Sequence, residues 1–237
     1  MTGWRARLGL IVPSSNTAAE IEFDEYAPEG VSIHTARMPL ESVTVGALDA
    51  MSDRALECAE LLAHADVDAI AYVCTTGSLL HGPGFDAELE KELASAADCP
   101  AVATALSVDR ALEALGVERI AVRTPYIEEL NDREREYFEA AGYEVVSIEG
   151  RGIEKNVAIG ALAPEDAYRQ VRGSVAADTH ADAVFVSCTN YRTFPAIGPL
   201  EDDLGLAVVT SNGATLWDAC RAAGVTSEGP GRLFESG

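Results

Sequence analysis

The chain has 237 residues, 48% of them hydrophobic, enough for one large α/β core or two smaller ones. Against 39 acidic residues stand 17 Lys and Arg, and the formal charge of −22 leaves no basic patch to neutralise nucleic-acid phosphates. No run of about 18 apolar residues occurs and Met1–Arg7 is too short for a secretory leader, so a soluble, cytoplasmic chain without a membrane partner is expected.

Lys91 and Lys155 are the lysines; the other basic residues are arginines. An acidic, lysine-poor surface is expected of a halophilic cytoplasm. At about 1 M salt the Debye length shrinks to ~3 Å, which removes most of the long-range repulsion an anionic ligand would meet. Five cysteines without a C-x-x-C pair do not form a disulfide framework, and four scattered histidines (His34, His64, His81, His180) suggest no metal site.

Arg7–Pro13 reads as a first strand broken by proline, and Ser14-Ser-Asn-Thr17 as the cap of a helix starting near Ala18. Asn16 lies in that turn with its amide available to a ligand. Val31–Met38 alternates like a strand, and His34 decorates it. Ser52–Ala65 has helical apolar spacing, with Cys58 as a small core residue. Asp68-Ala-Ile-Ala-Tyr-Val-Cys-Thr-Thr-Gly-Ser78 is a buried strand ending in Cys74, followed by hydroxyls and a glycine. A turn at Gly82-Pro-Gly84 leads to an acidic helix over Phe85–Ala97, a strand over Cys99–Ala105 and a helix over Ser107–Leu115, stopped by Gly116.

Near Val117 the pattern restarts. Arg119–Pro125 repeats strand-then-proline, and Pro13 and Pro125 lie 112 positions apart. A helix over Ile127–Ala141 and a strand over Tyr143–Ile148 follow. Ile153–Ile159 reads as a loop containing Asn156, and Pro164–Asp178 as a helix. Ala183-Val-Phe-Val-Ser-Cys-Thr-Asn190 copies the first cysteine strand, with Cys188 placed 114 positions after Cys74. Phe194–Leu204 is a short helix, Leu206–Thr210 a strand, and Ser211-Asn212 caps a last helix over Gly213–Ala223. The tail Thr226–Gly237 reads as loosely held.

Alternating strands and helices predict parallel sheets covered on both faces. The fold class is α/β: two Rossmann-like lobes related by pseudo-two-fold symmetry, with the site in the cleft between them. The first lobe is expected to comprise residues 1–115 together with 206–237 and to carry Cys74. The second comprises residues 116–205 and carries Cys188.

A thiol from each half, on opposite sides of one carbon, suits proton removal from one face and delivery to the other. It also suits addition of one thiol to an activated double bond while the other handles a proton. No histidine is positioned to activate either thiol, so backbone and hydroxyl donors and the positive end of a helix must do so. Thr75-Thr76-Gly77-Ser78 and Thr189-Asn190 supply N–H and O–H donors for carboxylates, an oxyanion-type arrangement that needs no metal or organic cofactor.

Six ordered motifs carry a resemblance that spans nearly the whole chain: Val12–Thr17, Cys74–Ser78, Arg123–Tyr126, Lys155-Asn156, Ser187–Asn190 and Thr210–Trp217. The chain resembles the aspartate/glutamate racemase superfamily, in its maleate cis–trans isomerase and arylmalonate decarboxylase branch. The resemblance implies a cofactor-independent conversion of a small dicarboxylate, maleate to fumarate, with Cys74 as nucleophile and Cys188 as its acid/base partner. It also implies carboxylate binding by Asn16, Tyr126 and Asn156, and a homodimer. The decarboxylases have glycine where Cys74 stands, so two thiols favour isomerase or racemase chemistry. The alternatives are a racemase of an amino acid or other α-substituted acid, a decarboxylase-like relative, and a non-catalytic protein that binds small carboxylates.

Overall fold

The computed structural model describes residues 3–52, 54–79, 81–82, 84–175 and 180–235. The first half runs β1 (Ala6–Pro13), α1 (Ala19–Tyr26), β2 (Val31–Met38), α2 (Val45–Ser52), α3 (Ala55–Ala63), β3 (Ala69–Tyr72), α4 (Thr75–Leu79), α5 (Phe85–Ala97), β4 (Ala101–Ala103) and α6 (Thr104–Ala114). The second half runs β5 (Arg119–Thr124), α7 (Glu128–Ala140), β6 (Glu144–Gly150), α8 (Asn156–Gly160), α9 (Pro164–Ser174), β7 (Ala183–Val186), α10 (Phe194–Leu204), β8 (Ala207–Thr210), α11 (Ser211–Ala222) and α12 (Arg232–Glu235).

Every strand pairing is parallel, and the two sheets share one topology, β2-β1-β3-β4 and β6-β5-β7-β8. The central strands β3 and β7 are short and apolar because both of their faces are covered, and the edge strand β8 is likewise buried at every residue. β2 and β6 lie at the sheet edges and are partly exposed. The repeat read from the prolines and cysteines is therefore a repeat of fold, β1 matching β5 and β3 matching β7.

The segment from residue 206 corrects the expected lobe boundary. Its strand does not return to the first lobe; β8 pairs with β7 from Ala183↔Ala207 to Val186↔Thr210. A short crossover through α10 delivers the chain to the neighbouring position of its own sheet, as parallel connections ordinarily do. Its helix does cross: α11 packs on α6 and against β3 and β4 of the first sheet. Thr215 Oγ1 donates to Thr104 Oγ1 at 3.1 Å across this contact, and Ser107 donates to Asp218 at 3.0 Å. Arg110 then bridges Asp218 and Glu90, each at 2.7 Å.

Other differences are local. The strand over Cys99–Ala105 is only three residues long, because α6 starts at Thr104, whose hydroxyl donates to the Tyr72 carbonyl. Asn156 opens α8 instead of lying in a loop. The cap of α11 is Thr210, which accepts from Gly213 N at 3.0 Å, so Ser211 and Asn212 are free for other bonds. In the tail, Leu233 is buried in a core cluster shared by α6 and the second sheet, and the Phe234 ring lies 5.9 Å from that of Phe194, so that segment is docked. The expected turn at Gly82–Gly84 includes Pro83, and the expected helix to Asp178 includes residues 176–178; these lie outside the described residues.

Candidate active site

Strands β1, β3, β5 and β7 end on the same side of their sheets, and the loops after them face one another across the lobes. They enclose a narrow cavity whose free volume is about 10 Å³, room for about one water molecule. Its lining holds all nine residues singled out in the sequence: Asn16, Cys74, Thr75, Thr76, Tyr126, Asn156, Cys188, Thr189 and Asn190. Pro13, Leu40 and Val43 complete the wall and give it an apolar side that sequence periodicity did not announce. The position, beyond the carboxyl ends of parallel strands, is where such sheets place ligands.

Cys74 sits between β3 and α4. The Gly77 N–H points at its sulfur and Thr76 Oγ1 lies 3.9 Å away, both favouring the thiolate. Burial outweighs them and pushes the thiol up to about 11. Gly77 is required by close approach: a Cβ there would lie 2.7 Å from Tyr72 Oη and 3.1 Å from Cys74 Sγ.

Cys188 follows β7 and has φ +98°, a region that costs a non-glycine residue about 1–3 kcal/mol. Its own N–H donates to Ser211 Oγ at 3.0 Å, and Asn190 N donates to its sulfur at 3.4 Å. The Tyr126 hydroxyl also faces the sulfur and favours its thiolate. Burial again prevails, and the thiol is pushed up to about 12. Burial likewise holds Tyr126 well above its ordinary range, so it stays a donor. The expected activation by backbone and hydroxyl donors is thus present at both cysteines but is smaller than the cost of burying a charge.

Around the thiols the polar side chains are held by one another. Asn16 Oδ1 accepts from Ala18 N and Ala19 N, closing the start of α1, while its Nδ2 donates to Thr189 Oγ1 at 3.3 Å. Its amide therefore caps the helix and lines the cavity at once. Asn190 Nδ2 donates to the Asn156 carbonyl at 2.7 Å, and Asn156 Nδ2 to Ser15 Oγ at 2.8 Å. Thr189 Oγ1 donates to Val73 O across the lobes. Thr75 Oγ1 donates to Ser211 Oγ at 2.8 Å, and Ser78 Oγ to the Thr75 carbonyl. The polarity after Cys74 is thus partly structural, and Thr76 is the hydroxyl that stays beside the sulfur.

Ser211 was missed as more than a cap. Its hydroxyl joins the loops of both cysteines, which only the crossing of α11 between lobes makes possible. Among the described residues no group of three or more His, Cys, Asp or Glu is placed to hold a metal ion.

A family model for arylmalonate decarboxylase matches residues 8–234. The chain is 31% identical over 225 residues to a maleate isomerase of Geobacillus stearothermophilus, covering 89% of each. It is 29% identical over 234 residues to an arylmalonate decarboxylase of Bordetella bronchiseptica, covering 96% of each. The crystal structure of a maleate isomerase variant from Pseudomonas putida S16 with maleate superposes with a TM-score of 0.92 at 27% identity, covering 98% of both chains. With fold, motif order and match agreeing over almost its full length, the chain belongs to the arylmalonate decarboxylase family.

Proposed function

We propose that this enzyme interconverts maleate and fumarate with two thiols. The observation that carries the reading is the meeting of Cys74 and Cys188, from matching positions of the two repeats, in one buried cavity. The maleate isomerases among its relatives support the choice of substrate.

In this reading Cys74 enters the cycle as the thiolate, its proton having gone to solvent, and its sulfur adds to one olefinic carbon. The π electrons move onto the neighbouring carboxylate, and N–H and O–H donors around the cavity stabilise the resulting enediolate. Cys188 keeps its proton until that point and delivers it to the carbon next to the new C–S bond. The former double bond is now single and rotates. The Cys188 thiolate then retrieves a proton from that carbon, the C–S bond breaks, the trans olefin forms and Cys74 leaves as thiolate. Asn16, Tyr126, Asn156, Thr75, Thr76, Thr189 and Asn190 bind and orient the two carboxylates. The chain's own residues supply every group in this sequence. The acidic, lysine-poor surface favours work in a salty cytoplasm, and the active form is taken to be a homodimer.

The test follows maleate loss by ultraviolet absorbance and fumarate by NMR, from low salt to several molar KCl. Wild-type protein should form fumarate and Cys74→Ala should form none. Absence of fumarate from the wild type at every salt concentration sinks the reading. Deuterium wash-in to α-substituted acids under the same conditions would then favour a racemase, which the same thiol pair also suits.

A further inference from the structure

Glu22 on α1 and Glu134 on α7 stand 112 positions apart, the offset that separates Pro13 from Pro125. They are the same position in the two repeats, and both are fully buried. Their surroundings differ. The Ser187 hydroxyl faces the Glu134 carboxyl, but outside ordinary hydrogen-bond geometry. Glu22 Oε1 accepts from Thr193 N at 2.6 Å and Phe194 N at 2.9 Å, and Oε2 accepts from Asn212 Nδ2 at 2.7 Å. The same Asn212 nitrogen donates to the Thr189 carbonyl at 3.0 Å.

These bonds enclose the turn that follows β7. Cys188 holds a backbone conformation it would not adopt unaided. Glu22 holds the far end of that turn directly at Thr193 and Phe194, and its near end at Thr189 through Asn212. A helix of the first lobe thereby fixes the thiol loop of the second. All three groups facing the carboxyl are donors, which suits the ionised form. A glutamine would turn an N–H toward at least one of them.

We propose that Glu22 is a positioning residue whose carboxylate locks the turn from Cys188 to Phe194 so that the Cys188 thiol faces the cavity. The inference deepens the isomerase reading, in which Cys188 handles the proton. The ionisable groups facing Glu22 are Arg192 in the turn, which favours its charge, and Tyr26 on its own helix. Burial raises the carboxyl to about 7 against the pull of Asn212, Phe194, Thr193 and Arg192. Protonation below that pH weakens an acceptor of three bonds, so the lock should loosen on acidification.

The experiment compares wild type, Glu22→Gln and Glu25→Gln. Glu25 lies on the same helix, is exposed and pairs with Arg192, so Glu25→Gln removes a nearby charge without touching the buried bonds. Iodoacetamide labelling of Cys188 and Cys74, resolved by peptide mass spectrometry from pH 5 to 9, gives a reactivity ratio that needs no substrate. In wild type and Glu25→Gln the ratio should change around pH 7. In Glu22→Gln it should differ from wild type at pH 8 by about threefold or more and lose that pH dependence. Fumarate formation by Glu22→Gln should fall by about tenfold in kcat with KM nearly unchanged.

A Glu22→Gln ratio that follows wild type at every pH overturns the inference. If Glu22→Gln does not fold, Asn212→Ser cuts the same link from the other end, and an unchanged ratio there overturns it equally. A wild type that makes no fumarate but shows the ratio change sinks the isomerase reading and leaves the lock standing.

Discussion

Gly77 shows how little room the first thiol has. An alanine there would bring a methyl to 2.7 Å from Tyr72 Oη and 3.1 Å from Cys74 Sγ, so the sulfur or the ring must shift. Gly77→Ala is expected to lower kcat by about tenfold, although alanine is the better helix former, and steady-state kinetics beside a thermal melt will separate the two effects. Glu134 offers a pH test of a different kind. Burial pushes its carboxyl from the ordinary 4.5 up to about 8. The folded state therefore binds the proton more tightly than the unfolded chain. Its contribution to stability is full below about 4.5 and is lost as pH rises through 8. Glu134→Gln should flatten the decline of Tm between pH 5 and 9; an unchanged slope would refute the assignment. Both thiols and the three asparagines were legible in the sequence because they sit at strand ends and in short polar motifs. The position of the thiol ionisations was not legible. It depends on burial by both lobes, and no local pattern encodes that.

Among the elements, alternation and repeat spacing sufficed to recover most strands and long helices, and α5 and α10 start and end where their apolar spacing and flanking residues put them. Short elements escaped. α4 and α8 have five residues each, too few to show a period, and both are held by the surrounding fold. The place of β8 escaped too, since an apolar strand of four residues carries no mark of which sheet will take it. Its helix supplies a test. Asp218 is nearly buried and accepts from Ser107 and Arg110, joining α11 to α6. Asp218→Asn should cost about 1–3 kcal/mol in urea unfolding, since Arg110 keeps Glu90 but loses one of its two partners. Fumarate formation per folded molecule should stay at the wild-type level; a fall would mean that the α6–α11 contact also shapes the cavity.

At the scale of the whole molecule, charge dominates. A net charge of −22 on 237 residues repels itself wherever salt is low. Salt screens that repulsion, so Tm should rise steadily from dilute buffer to about 1 M KCl, where the screening length falls to ~3 Å. A flat or falling Tm would show that the acidic surface serves something other than salt tolerance. Because α11 is anchored to both lobes, heating should give one calorimetric transition, with calorimetric and van't Hoff enthalpies in agreement. Two separable transitions would show that the lobes melt independently.

The position of Ser211 bears on how the protein is made. Its hydroxyl joins the Cys74 loop to the Cys188 loop, yet it follows both cysteines in the chain and so leaves the ribosome after them. Until residues 211–222 emerge, the first lobe lacks the helix that covers α6, and neither cysteine loop has its shared anchor. A chain can therefore hold both cysteines and still have no site, and reactivity toward substrate arrives only once α11 has docked between the lobes.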